Sequence, residues 1–167
     1  AGSGAHLIEG CDYLPIKAVR GQITEINCSG GSKKLKCNLN YGGYCTPPIN
    51  GRHVIGATFQ RWLDHSEIML EDDVYNVSML QEIAGETFSQ PDVIGHRASV
   101  RATTPDHFPV VGRVARQENV FINGAHGSHG IISSLMAARL IVDLIVGRKP
   151  LLPQETIQAL NPARFCV

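Results

Sequence analysis

The sequence predicts an α+β fold: a mixed, mainly antiparallel sheet, with a strand–loop–helix unit near the end of the chain. Three observations predict it. Short segments with period-two alternation, separated by Gly, Pro and Asn turns, dominate the early chain. A single amphipathic helical pattern interrupts them at about residues 71–84. A short strand, a Gly-rich loop and a long apolar helix then follow in direct succession, from Val120 to about Val146. The 167 residues, 43% hydrophobic and 18% charged, suit one compact domain or a large piece of a bigger one.

Taken in order, residues 1–12 (AGSGAHLIEGCD) open on small residues with nothing before them to pack against. LPIKAVRGQITEI (14–26) reads as a strand pair or one long bent strand. Asn27 to Lys36 reads as a solvated loop carrying Lys33, Lys34 and Lys36. Two strands follow, around Leu39 to Thr46 and His53 to Gln60, turned by Pro47-Pro48 and Asn50-Gly51. In the helix from Glu71 to about Ala84, Leu70, Val74, Val77, Leu80 and Ile83 recur at helical spacing, and Glu71, Asp72 and Asp73 complement the positive end of its dipole. Arg97 to Thr103 is a strand, TPDHFPVVG a turn and a short buried strand, and Val120 to Asn123 another strand. The helix from Ile131 to about Val146 stops at Gly147, with Arg148 and Lys149 at its negative end and Pro150 beyond. A short helix around Gln154 to Leu160 completes the pattern.

Composition narrows the function. Fifteen basic and fifteen acidic residues cancel, so no global field gathers nucleic acid, although a local patch still could. Aromatic residues make up 6% and there is one Trp, which argues against a base-stacking platform. The five cysteines are odd in number and contain no C-x-x-C pair, so a disulfide framework or structural zinc is not expected and a reducing compartment fits. The most apolar stretch, Ile131 to Val146, carries Arg139 and Asp143 and is too short to span a bilayer. The expectation is a soluble, cytoplasmic protein with no membrane contact.

Two segments could carry chemistry. GAHGSHG (124–130) lies between strand and helix, where glycines let backbone N–H groups approach a ligand and the helix dipole favours negative charge. A phosphate, a carboxylate or the N1–C2=O edge of a flavin would suit it, as would a purely structural close-packed turn. His126 and His129 are three apart without a third local ligand, so hydrogen bonding or acid–base work fits them better than metal. In ASVRATTPDHFPVVG, Arg101 sits among small and apolar residues, where a guanidinium needs an anionic partner: a substrate carboxylate or a structural acid. Tyr44, beside Gly42 and Gly43, could present its hydroxyl to a ligand or serve as a core residue.

Six ordered blocks carry a resemblance over nearly the whole chain: LPIKAVRGQITEI, GGYCTP, HVIGATFQR, VRATTPDHFPVVG, INGAHGSHGIISSLMAARLIVDLI and LNPARF. They resemble the C-terminal half of D-amino-acid-oxidase-like (DAO) FAD enzymes, and within that family the oxidase modules of bifunctional tRNA wobble-uridine biosynthesis proteins. The resemblance implies a DAO-type substrate domain at 13–112, flanked by segments of a Rossmann-like FAD-binding domain at 1–12 and 113–167. It implies non-covalent FAD, because Ser99 stands where some relatives attach flavin through Cys. The ADP-binding G-x-G-x-x-G is absent from these residues, so a missing N-terminal FAD-binding half is an implied partner, and self-association of the fragment is expected.

The implied reaction is oxidation of a secondary amine, removing the carboxymethyl group, as glyoxylate, from a tRNA wobble uridine; glycine or D-amino-acid oxidation, and a non-catalytic fragment, are the alternatives. By the same resemblance Arg101 binds the substrate carboxylate. Gly124, Ala125, His126, Gly127, Ser128, His129, Gly130 and Ile131 face the flavin, and Tyr44 lies near the substrate hairpin. His129 stands where relatives more often carry Arg, which makes a charge beside flavin or substrate pH-dependent.

Overall fold

A computed structural model describes residues 2–166. The chain forms two compact units, Arg20–Ser99 and the residues up to Val19 together with those from Val100 onward. The divisions fall inside strands β1 (Lys17–Asn27) and β5 (Val93–Thr103), within the segment 13–112 read as one domain from sequence.

In the unit Arg20–Ser99 the strands follow the order β2-β3-β4-β1-β5, with β2 at Leu39–Asn40, β3 at Tyr44–Cys45 and β4 at Arg52–Gly56. β1 is one continuous strand, antiparallel to β4 from Ile23↔Gly56 to Asn27↔Arg52. The single strand expected over residues 39–46 is instead a tight β2–β3 hairpin. Gly42 turns it at φ +91°, and Tyr41 N–H donates to the Gly43 carbonyl at 3.0 Å. Gly43 has no room for a side chain, since a Cβ there would lie 2.7 Å from the Gly56 carbonyl oxygen. Ile26, Cys45, Ile55, Leu80 and Phe88 form the core of this unit.

Helix α1 (Leu70–Ala84) has the expected limits but not the expected burial. Leu70, Val74 and Ile83 are exposed, whereas Asp72, Asp73 and Asn76 are buried. The cause is the strand beneath, because β1 presents Arg20, Gln22 and Thr24, all fully buried. Arg20 pairs with Asp72, whose other oxygen accepts from Gln60 at 3.0 Å. Asp73 accepts from Thr24 at 2.6 Å and Gln22 at 3.0 Å, and His96 Nδ1 lies 3.1 Å from its second oxygen. Apart from Arg20 Nε, which has no hydrogen-bond partner among the described residues, these buried polar groups pair with one another, and that overrides the simple apolar stripe.

The loop expected at 27–36 contains a 3-10 turn, Gly30–Lys34. It is anchored by Ser32, whose Oγ accepts from Ser29 N–H at 3.1 Å and lies 3.1 Å from Nε2 of the fully buried His53.

In the other unit, residues Gly2–Leu7 form a 3-10 helix. Strands β6 (Val110–Arg113) and β7 (Phe121–Gly124) pair antiparallel from Val110↔Gly124 to Arg113↔Phe121. Helix α2 (Gly130–Ile145) packs on them through Ala137 and Leu140 against Val111, and Gly147 at φ +66° ends it. Helix α3 (Gln154–Leu160) and a 3-10 turn, Pro162–Phe165, follow. The fold is thus α+β, and every pairing with a described register is antiparallel. All five cysteines are free thiols.

Candidate functional site

β7 delivers the chain into GAHGSHG, and the loop turns because two of its residues take left-handed backbone, Ala125 at φ +55° and Gly127 at φ +57°. Gly127 is suited to this, lacking the Cβ that makes the conformation costly. Its N–H donates to the Ala102 carbonyl on β5 at 2.9 Å, and a Cβ on it would meet Thr103 Oγ1 at 3.8 Å. Alternate residues of a strand share a face, so Arg101 and Thr103 lie on one side of β5, against which the loop rests. The loop is thus joined, within one unit, to the strand that carries Arg101. Arg101 is half-buried there.

His126 is held at both ring nitrogens. Nε2 lies 2.7 Å from Asn123 Oδ1 and Nδ1 lies 2.8 Å from Ser133 Oγ. The Asn123 oxygen only accepts, so Nε2 carries a proton; in the neutral ring Nδ1 is bare and competes for the one Ser133 hydroxyl proton with the His129 carbonyl, 2.9 Å from the same Oγ. Burial pushes the imidazole below its usual value of 6.5, which favours this neutral form. His126 thereby ties β7 to the first turns of α2. Ser128 and His129 are exposed; His129 caps α2 through its backbone, its carbonyl accepting from Ile132 and Ser133 N–H at 3.0 Å each.

With the Ile132 and Ser133 N–H groups taken by the His129 carbonyl, the N–H groups of Gly130 and Ile131 are those of the first turn that have no intrahelical acceptor. Around them the helix is apolar and exposed: Ile131, Ile132 and Leu135 are 94%, 82% and 78% accessible. An exposed apolar turn at a helix N-terminus suits a planar ring with an electron-rich edge. Among the described residues, no group of His, Cys, Asp and Glu is arranged to hold a metal ion.

A cluster unforeseen from sequence stands at the end of the TPDHF turn. Arg164, from the LNPARF turn, donates to Asp106 Oδ2 at 2.8 Å and Oδ1 at 3.2 Å, and to the carbonyls of Phe108 and Leu160 at 2.9 Å each. Thr104 Oγ1 and Phe108 N–H also donate to Asp106, at 2.8 and 3.1 Å. The Arg164 hydrogen bonds, ahead of those from Thr104 and Phe108, hold the Asp106 carboxyl at about 2. The sequence signal was present as two separate blocks, TPDHF and LNPARF, but nothing in the spacing of residues 104–108 and 160–165 said that they meet.

Tyr44 lies in the unit Arg20–Ser99, on β3, half-buried, and its carbonyl accepts from the Tyr41 hydroxyl at 3.2 Å. Burial pushes the Tyr41 phenol up to about 12 and the Cys45 thiol up to about 11. Neither titrates near neutral pH.

A strand–loop–helix joined to an arginine-bearing strand suits an anionic or electron-rich ligand, and the class of protein follows from the family match. The model of the DAO family, FAD dependent oxidoreductase, matches residues 1–144, and the chain belongs to that family. Among curated relatives, it is 31% identical over 179 residues to the tRNA 5-methylaminomethyl-2-thiouridine biosynthesis bifunctional protein MnmC of Legionella pneumophila (strain Corby), covering 92% of this chain and 27% of that protein. It is 35% identical over 160 residues to the MnmC of Idiomarina loihiensis, covering 95% and 26%. The chain thus spans about a quarter of the length of these relatives. Among solved structures it is similar to glycine oxidase from Geobacillus kaustophilus (TM-score 0.85, 17% identity, 98% of this chain and 44% of that one). It is similar also to L-proline dehydrogenase from P. horikoshii (TM-score 0.80, 19% identity, 99% and 45%). These two share its fold.

Proposed function

We propose that this chain is part of an FAD-dependent amine oxidase that removes the carboxymethyl group, as glyoxylate, from 5-carboxymethylaminomethyl-uridine at the tRNA wobble position. The observation that carries the reading is the joining, through Gly127 N–H and the Ala102 carbonyl, of the helix-entry loop to the strand that bears Arg101. The name MnmC on its curated relatives supports the RNA substrate.

The residues present fit a flavin. Gly124 to Ile131 would hold its ring edge, with the α2 N–H groups facing the pyrimidine end and Ile131 and Ile132 lying against its apolar part. FAD, when bound, supplies the acceptor for the hydride from the carbon beside the amine nitrogen. Arg101 binds the substrate carboxylate as a fork and so fixes which carbon is presented. His126, neutral and held at both nitrogens, positions the loop rather than moving a proton. His129 is exposed beside the helix start and is assigned to the solvent side of the loop. Tyr44 is assigned to the substrate side. The flavin is held non-covalently, Ser99 offering no thiol for attachment. The ADP end is bound by a Gly-rich turn outside these 167 residues, which contain no G-x-G-x-x-G. The reading places the reaction in the cytoplasm, where tRNA is modified, and no helix among the described residues is long and apolar enough to cross a membrane.

The test is product analysis with the full-length protein. Incubation with tRNA carrying the carboxymethylaminomethyl group should release glyoxylate and leave the aminomethyl base. Turnover of free glycine or D-amino acids, with the tRNA left intact, would assign the site to amino-acid oxidation instead.

A further inference from the structure

Charge is unevenly distributed along the chain although its total is zero. Residues 26–63 contain Lys33, Lys34, Lys36, Arg52 and Arg61 and no Asp or Glu. All lie in the unit Arg20–Ser99. Arg52 is committed to Glu25 at 2.7 Å. The three lysines are exposed on or beside the Gly30–Lys34 turn, and that turn is anchored. Buried Ser32 and His53 fix it to β4, and the His53 ring packs edge-on against Phe88 with centroids 5.4 Å apart. Its cations are thus carried on a fixed support.

Beyond the other end of β4, the chain reads FQRW. Trp62, the single Trp of the sequence, is 77% exposed and Phe59 is 50% exposed. The Arg61 guanidinium carbon stands 5.4 Å from the Phe59 ring centroid. Aromatic faces interleaved with an arginine are the groups on which unpaired bases stack, and the scarcity of aromatics in the composition had concealed such a group. An aromatic patch awaiting a protein partner needs no cations beside it. Here the stretch before it, from Ile26 to Thr58, carries no acid, while Asp64 and Glu67 follow Trp62.

We propose that residues 26–63 form the RNA-contacting surface of this protein: Phe59, Arg61 and Trp62 stack against unpaired bases of the substrate RNA, and Lys33, Lys34 and Lys36 contact its phosphates. The proposal rests on the tRNA reading above and adds the surface that selects RNA over a free amino acid.

The experiment uses the full-length, FAD-loaded protein and unmodified tRNA, with binding measured across a salt series. Trp62→Ala should weaken tRNA about 5- to 100-fold, the loss of one stacked base. Lys33→Gln, Lys34→Gln and Lys36→Gln combined should flatten the dependence of log affinity on log salt by about two units. Both variants should keep the wild-type flavin spectrum and circular dichroism, since the altered side chains are exposed. Wild-type affinity and slope in both variants would overturn the proposal. So would loss of flavin or aggregation in both, which would mark the surface as one covered by protein. A wild-type protein that oxidises free amino acids and binds no tRNA would bring down the functional reading itself, and this inference with it.

Discussion

Arg101 and Asp106 stand five positions apart and behave differently. Arg101 is assigned to the substrate, so Arg101→Ala or Arg101→Lys in the full-length enzyme should lower kcat/KM for carboxylate-bearing substrate by about 2–5 kcal/mol of transition-state binding, without changing the flavin spectrum. Unchanged steady-state kinetics would make Arg101 a structural residue. Asp106 serves the fold, with its folded carboxyl held at about 2, below the ordinary 3.8. A depressed carboxylate contributes stability above its unfolded value and loses it as pH falls through the folded one. Asp106→Asn should therefore be less stable than wild type at neutral pH, and the difference should shrink between about pH 4 and pH 2. Urea midpoints of both proteins across that range check it. Arg101 was legible as a candidate because its neighbours are small and apolar, which makes a guanidinium conspicuous. Asp106 and Arg164 were not, since a hydrogen-bonded pair 58 positions apart leaves no local pattern.

At the scale of elements, α2 was readable because its cues are local: a Gly-rich entry, an apolar run and Gly147 at the end. The hairpin at 39–46 was not, because its turn depends on Gly43 meeting the Gly56 carbonyl, a contact supplied by β4. β5 extends upstream of the expected Arg97 to Val93; its side chains are largely exposed as far as Ser99, which erases the alternation that marks a strand. The limits of α1 were right and its buried side was not. Periodicity located the helix, but the polar face of β1 chose which side turns inward. That choice has a measurable consequence. Asp72→Ala leaves the fully buried Arg20 without its carboxylate and should cost about 3–5 kcal/mol in urea unfolding. Glu71→Ala, one position away and exposed, should stay within about 0.5 kcal/mol. Equal effects would show that the Arg20–Asp72 pair does not hold α1 to the sheet.

At the scale of the molecule, a helix N-terminus, a loop and an arginine are assigned by proposal to a flavin and its substrate, and these 167 residues contain no G-x-G-x-x-G for a pyrophosphate. The chain also leaves Ile131, Ile132 and Leu135 open to solvent, apolar area that a bound ring or a second polypeptide would cover. Both features follow if the ring end of the site lies here and the ADP end elsewhere. Titrating FAD against the 167-residue chain, following the flavin spectrum and the oligomeric state together, tests this directly. The account expects weak binding, no tighter than riboflavin binds, with self-association through the exposed apolar turn. Stoichiometric sub-micromolar binding of FAD to a monomer would contradict it, because the dinucleotide site would then be complete within these residues.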